Sequence, residues 1–353
     1  MCDFVSATPP ESVHVLHDPS SGLDGVIVLH STRRGPAAGG CRLWTYSSGA
    51  EAAKDAVRLA EGMAYKNALA DLPLGGGKAV LRLPPTPFDR RLLFKAFGRE
   101  VARLGGNYVT AEDVGTTVSD MQAASETCRH VAGLGAPQGR PGGDPSPWTA
   151  LGVFLSIQES ARRKLGADLK GMTVAVQGLG NVGSHLCGLL HEAGVKLVVA
   201  EPRSHVAAKV ACRYEATLVG LDAILDTKCE IFAPCALGAV IDERAVMRLR
   251  TRVVCGGANN VLATDEDGDR LADRDVLYAP DYIVNAGGII NVAAEYIGWK
   301  IEEAEARVRQ TGRRLADLLD FAERKGLAPH RAANGLARQR IGAPQMGRMM
   351  EVV

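Results

Sequence analysis

The segment Gly178-Leu179-Gly180-Asn181-Val182-Gly183 restricts the fold of this chain more than any other stretch. Before it runs Met172 to Gln177, short and β-branched, which predicts a buried strand. After it, Ser184 to Ala193 has a helical pattern closed by Gly194. A second apolar strand, Lys196 to Ala200, ends on Glu201, 18 residues past Gly183. Strand, glycine turn, helix, strand and acid form the arrangement that binds a dinucleotide. Gly178 permits the tight turn, Gly180 lets the backbone approach a pyrophosphate, and Gly183 lets the helix pack on the strand. Asn181 and Val182 open that helix, whose free N–H groups and partial positive charge face the phosphates. A mere glycine turn inside an α/β core would leave the placement of the acid an accident.

A chain of 353 residues is long for one domain. The expected fold class is α/β with two domains, a substrate domain and a Rossmann-like, doubly wound dinucleotide-binding domain, with a cleft between them. The expected limits are residues 1–135 for the first and 136–322 for the second, with 323–353 a helical segment returning to the first. The stretch Gly133 to Pro147, dense in Gly and Pro, is the candidate linker. Composition excludes several alternatives. A net charge of +1 gives no reason to invoke nucleic acid or an acidic membrane. No apolar run reaches the ~20 residues a membrane span needs. Met1 to Pro10 lacks the pattern of a signal peptide. Eight cysteines without a CxxC pair fit a reducing cytoplasm rather than a disulfide or metal framework. No histidine pairs with an acid at ligand spacing, so no metal is predicted.

In chain order, two strands are predicted around Asp18-Pro19-Ser20-Ser21-Gly22, then a glycine-rich loop over residues 35–40. Glu51 to Tyr65 reads as an amphipathic helix whose last turn delivers Lys66. The run Leu74-Gly75-Gly76-Gly77 reads as a loop delivering Lys78 at the mouth of a strand. Asn107 to Val114 reads as a strand ending in a loop that carries Asp113. Lone lysines are usually solvated, yet both lysines follow small or apolar stretches. Buried beside another cation, one lysine can release its proton near neutral pH and act as a base while the other holds a carboxylate. Asp113 could equally cap a helix. Further strands are predicted to end in Pro234-Cys235-Ala236, Gly256-Gly257-Ala258-Asn259-Asn260 and Asn285-Ala286-Gly287-Gly288, the strand ends that line a ligand crevice in a parallel sheet. Cys235 is read there as a small residue beside the cofactor, and Trp44 and Trp148 as residues packing near the cleft.

Together, Gly35-Pro36-Ala37-Ala38-Gly39-Gly40-Cys41-Arg42-Leu43-Trp44, Gly62-Met63-Ala64-Tyr65-Lys66-Asn67, Leu74 to Lys78 and Thr110 to Thr117 resemble the glutamate/leucine/phenylalanine/valine dehydrogenase family. Ala233 to Gly238, Gly257 to Asn260 and Tyr278 to Gly288 continue the resemblance in the same order, which is strongest to its leucine dehydrogenase branch. The resemblance implies oxidative deamination of an apolar L-amino acid (leucine, valine or isoleucine) to its 2-oxo acid and ammonium, with NAD reduced. It implies Lys78 as the catalytic base and Asp113 as the acid that shuttles protons. Lys66 would bind the substrate carboxylate, helped by Asn259, with Gly39 and Gly40 beside the reacting carbon. Thr149, Ala236, Asn259 and Asn285 would meet the nicotinamide half of the cofactor, and Glu201 the ribose. The side-chain pocket falls on Ala38, Ala111, Ile289 and Val292. The glutamate branch needs a cation at Ala38, so a glutamate side chain would leave its charge unpaired here. Alanine also leaves more room than the larger aliphatic residue usual in the leucine branch, which keeps phenylalanine or tryptophan open as substrates. A 2′-phosphate would be repelled by Glu201, which favours NAD over NADP, although Arg203 stands two residues on. The resemblance also implies a homo-oligomer. The rival from another class is a non-catalytic dinucleotide-binding regulator, against which intact Lys66, Lys78 and Asp113 speak.

Overall fold

The computed structural model describes residues 8–135, 139–236 and 238–343. Leu237, three residues of the expected linker and both chain ends lie outside these. The chain divides into two compact units. The first takes the chain through Gly143, with Val292–Lys300 and the residues from Leu336 onward; the second takes Asp144–Asn291 and Ile301–Gly335.

In the first unit, β1 (Ser12–Asp18), β2 (Leu23–Ser31), β3 (Ala37–Ala38), β4 (Cys41–Trp44), β5 (Gly75–Arg82) and β6 (Tyr108–Val109) form one mixed sheet. Its order is β1-β2-β5-β3-β6, with β4 also pairing β5. Helix α1 (Gly49–Leu69) covers one face; α2 (Arg90–Arg103) and α3 (Val118–Ser125) supply the other layer. The period of two sorts the side chains. Val26, Val28 and Val80 cluster with α1, whereas Ile27, Leu29, Ala79 and Leu81 cluster with Phe94, Phe97 and Met121. By the same alternation Gly76, Lys78 and Val80 share the α1 face. Helix α1 starts where the Ser48 side chain accepts the Glu51 N–H, and it buries an alanine every fourth residue, from Ala52 through Ala56, Ala60 and Ala64 to Ala68. That small-residue stripe lets the helix lie close on the sheet.

The three glycines before Lys78 are therefore not a loop. They are the start of β5, and each is demanded by a neighbour. A β-carbon on Gly75 would stand 1.9 Å from the Ser31 carbonyl oxygen, one on Gly76 2.2 Å from the Ala64 nitrogen, and one on Gly77 3.0 Å from the Tyr108 ring. The run lets strand and helix approach each other.

The second unit carries β7 (Thr173–Gln177), β8 (Lys196–Ala200), β9 (Thr217–Leu218), β10 (Ile231–Pro234), β11 (Val253–Val254) and β12 (Leu277–Tyr278). All its pairings are parallel, in the order β12-β11-β10-β7-β8-β9. Counted from β7, this is the 3-2-1-4-5-6 order of a doubly wound dinucleotide fold, whose ligand crevice opens where the order reverses, between β7 and β10. Around the sheet lie α4 (Ser146–Leu165), α5 (Asn181–Glu192), α6 (Ser204–Tyr214), α7 (Glu243–Arg248), α8 (Asp265–Asp273) and α9 (Asp281–Val284). Helices α10 (Gly287–Ile297), α11 (Ile301–Arg309), α12 (Thr311–Lys325) and α13 (Pro329–Gly342) follow. Among the described residues no helix is long and apolar enough to cross a membrane.

Candidate active site

In the first unit, Lys78 and Asp113 meet. The Lys78 ammonium, only 4% exposed as a residue, lies 2.7 Å from Asp113 Oδ2. Burial alone would raise the Asp113 pKa, but the Lys78 charge, and after it that of Arg42, outweighs burial and holds the carboxyl below its ordinary value. The capping alternative for Asp113 does not hold: α3 is capped by Thr117, in a capping box with Asp120. Asp113 is thus left to the ion pair.

The glycine loop closes over this pair. A β-carbon on Gly40 would stand 2.7 Å from the Asp113 β-carbon, and one on Gly39 would stand 1.9 Å from the Gly77 carbonyl oxygen and 3.2 Å from Met63 Cγ. Met63 and Lys66, three residues apart on α1, share a helix face. Gly39, Gly40, Lys78, Asp113 and the Met63–Lys66 face are therefore neighbours. The Gly39 carbonyl accepts a 2.7 Å hydrogen bond from the Tyr108 hydroxyl, whose pKa burial pushes far above its usual value, so that it stays a donor. Ala38 and Ala111 are buried beside this loop, while Ile289 and Val292 stand three residues apart on α10.

In the second unit the crevice at the β7/β10 switch point is built from the glycine turn. Gly178 has φ +91°, a conformation L side chains avoid, and a β-carbon there would meet the Ala236 backbone at 2.8 Å. Gly183 packs against the Gly178 carbonyl, leaving no room for a side chain. Gly180 differs, since a β-carbon on it would meet no atom within 4 Å. That open side lies at the start of α5, where no side chain caps the Asn181 and Val182 turn. Asn285 is 4% exposed and donates through Nδ2 to the Ala258 carbonyl and to Asn259 Oδ1, while its own Oδ1 is buried without a partner. Thr149 is buried in the first turns of α4, its hydroxyl donating to the Pro145 carbonyl. An open phosphate approach, an uncapped helix start and an orphaned buried acceptor suit a dinucleotide.

Glu201 has a second occupation. It accepts the Leu179 N–H of the glycine turn at 2.7 Å and the Arg203 guanidinium at 2.6 Å. The Arg203 hydrogen bond is the main cause of its lowered pKa, so the acid stays ionised. A carboxylate has further lone pairs for a ribose. The Cys235 thiol is pushed up to about 11 by burial, which removes it as a nucleophile at neutral pH. Trp44, half exposed, does not pack as expected.

Sequence reasoning missed Arg42 and Tyr108. Both lie in segments it had singled out, but their partners are distant in the chain: Gly39 for Tyr108, Asp55 and Asp113 for Arg42. The available signal for Arg42 was its alternation with buried Cys41 and Leu43, which puts it on the face of Val80.

Comparison with known proteins shows the family. Residues 10–130 match the family pattern described as "Glu/Leu/Phe/Val dehydrogenase, dimerisation domain", and residues 144–209 and 200–346 match "Glutamate/Leucine/Phenylalanine/Valine dehydrogenase". A leucine dehydrogenase of Thermoactinomyces intermedius is 43% identical over 340 residues, covering 96% of this chain and 93% of the relative. A valine dehydrogenase of Streptomyces coelicolor is 42% identical, with 94% and 92% covered. Among solved structures, L-tryptophan dehydrogenase from Nostoc punctiforme superposes with a TM-score of 0.80 at 37% identity, covering 94% of this chain and 96% of its own. The chain belongs to the glutamate/leucine/phenylalanine/valine dehydrogenase family and is an amino acid dehydrogenase.

Proposed function

We propose that the protein converts leucine, valine or isoleucine, with NAD⁺ and water, reversibly to the 2-oxo acid, ammonium, NADH and a proton. The observation that carries this reading is the buried Lys78–Asp113 pair at 2.7 Å under the Gly39–Gly40 loop. In this reading the Lys66 ammonium holds the substrate carboxylate. The Asp113 carboxylate takes the proton from the substrate nitrogen and later returns one to the departing ammonia. The Lys78–Asp113 pair, whose members at 2.7 Å can exchange protons directly, takes the proton of the water that adds to the imino carbon. Gly39 and Gly40 keep the space above the pair free of side chains. The nicotinamide, when bound, supplies the hydride acceptor. Asn285 Oδ1 and the Thr149 region would orient it, and the turn at Gly180 would receive the pyrophosphate. Ionised Glu201, with Arg203 already bound to it, favours a ribose hydroxyl over a 2′-phosphate and hence NAD over NADP. The apolar side chain would meet Ala38 and Ala111, with Ile289 and Val292 of α10 the further candidates. A cytoplasmic homo-oligomer fits the free thiols of the seven described cysteines and the description of the pattern matched by residues 10–130 as a dimerisation domain.

The test is NADH formation, followed at 340 nm and alkaline pH, across the twenty amino acids with NADP⁺ in parallel. Preference for leucine, valine or isoleucine with NAD⁺ is expected. Preference for phenylalanine or tryptophan would show that the small Ala38 opens the pocket, in line with the tryptophan dehydrogenase likeness. No turnover with any amino acid would overturn the proposal.

The cofactor assignment carries its own prediction. Gly180→Ala places a methyl in open space without strained φ, so stability should change by less than about 1 kcal/mol. The same methyl obstructs the proposed pyrophosphate approach. NADH binding, read by fluorescence titration, should weaken at least about tenfold. Unchanged affinity in a normally folded variant would remove Gly180 from the site.

A further inference from the structure

Arg42 links the proposed proton-transfer pair to a cluster at the first half of α1. Its Nε faces Asp113 Oδ2 at 3.4 Å, and its Nη1 donates to Asp55 Oδ2 at 2.9 Å. Asp55 is held in turn by the Tyr46 hydroxyl at 2.6 Å and by Arg58 at 3.2 Å. Arg42, Tyr46, Asp55 and Arg58 together line part of a cavity of about 390 Å³. A guanidinium that is 19% exposed and shared between two carboxylates is strongly constrained in direction.

We infer that Arg42 is a positioning residue for this reaction: anchored by Asp55, it orients the Asp113 carboxylate toward Lys78 and supplies the second positive charge that keeps it ionised. The inference rests on the reading of Asp113 as the group that moves protons. Charged and titratable groups around Asp113 come from three elements. Lys78 lies on β5 and Arg42 on β4, while the Cys41 thiol and the Tyr108 phenol are neutral because burial pushes both far up. Around Arg42 stand Asp113, Asp55 and Tyr46, with Arg58 behind Asp55. When Arg42 is lost, Lys78 stays beside Asp113 as the larger charge, and the carboxylate loses its second cation.

Removing the Arg42 cation makes an ionised Asp113 less favourable, so the acidic limb of kcat/KM, which reports the Lys78–Asp113 pair as a unit, moves to higher pH. Removing the Asp55 carboxylate leaves the Arg42 charge uncompensated beside Asp113, and the limb moves to lower pH. A purely structural role would move both variants in the same direction or neither.

The experiment compares pH profiles of the wild type, Arg42→Gln, Arg42→Lys, Asp55→Asn and Asp113→Asn, with NADH affinity and Tm measured for each. Arg42→Gln should lower kcat on the order of 10²-fold through misplacement of the acid and raise the limb by about one pH unit, with NADH affinity unchanged. Arg42→Lys should restore the position of the limb but only part of kcat, because the fork geometry is lost. Asp55→Asn should lower kcat and move the limb down. A limb unmoved in Arg42→Gln, or shifted alike in Arg42→Gln and Asp55→Asn, overturns the inference. If Arg42→Gln does not fold, Asp55→Asn decides alone: wild-type kcat with an unmoved limb rejects the positioning role. Full activity in Asp113→Asn would instead reject the underlying reading of Asp113, so the two failures are distinguishable.

Discussion

Replacing Lys78 with alanine is expected to lower kcat for NADH formation by at least about 10³-fold while NADH affinity stays within about twofold of wild type. The first half follows from position. Lys78 Nζ is buried on the α1 face of β5 and lies 2.7 Å from the Asp113 carboxylate, so no surface lysine or solvent base can replace it. The second half follows from the separation of roles: the glycine turn, Glu201 and Asn285 belong to the other compact unit. Alanine also removes the largest charge that depresses the Asp113 pKa, leaving Arg42 to hold the carboxylate. Breaking a buried pair costs about 3–5 kcal/mol when the remaining charge has no partner; with Arg42 in place the loss should be smaller, so the variant should fold. Because the two groups act as one unit, the Lys78→Ala, Asp113→Asn double variant should be scarcely slower than Lys78→Ala alone. Multiplicative losses in the double variant, or near-normal NADH formation by Lys78→Ala, would reject the proposed proton management.

How much of this was legible in the sequence depends on whether the reasons for a residue lie close to it in the chain. The glycine turn was legible because Gly178 and Gly183 answer to each other within six residues and Glu201 to Leu179 within one strand–helix–strand unit. The alanine stripe of α1 was readable in the same way, as a helical period. The run Gly75-Gly76-Gly77 was read as a loop because glycine weakens strands; the contacts that make it a strand come from Ser31, Ala64 and Tyr108, none of them adjacent. Arg42 escaped for a related reason, since its two carboxylate partners stand 13 and 71 residues away. The two-residue strands β3 and β9 offer too few positions for a period of two to show. The unit limits were hidden as well, because α10 and α13 each run from one compact unit into the other without a break in helical pattern.

Gly76→Ala joins those two themes, and it should be strongly destabilising. Its β-carbon would stand 2.2, 2.3 and 2.4 Å from the nitrogen, α-carbon and β-carbon of Ala64. Two of those atoms are helix backbone, so no rotamer change relieves the collision and α1 must lift from β5. Overpacking of a core usually costs about 1–3 kcal/mol; with a backbone partner the loss should be at the upper end or beyond, read as a lowered urea midpoint. Ala64→Gly in the same chain should recover only part of it, because the Ala64 nitrogen and α-carbon still obstruct the methyl. Gly49→Ala is the control, at the start of the same helix with no atom within 4 Å, and should be neutral or slightly stabilising. Catalysis should suffer beyond stability. Lys78 lies two residues along the strand face and Lys66 two residues along the helix, so lifting α1 separates the two lysines that the proposed reaction needs together. Below its denaturation midpoint, Gly76→Ala should therefore show a lowered kcat and a raised KM for the amino acid, with NADH binding intact. An unchanged midpoint, or a stable variant with wild-type KM, would mean that the close approach of α1 and β5 does not set the spacing of Lys66 and Lys78.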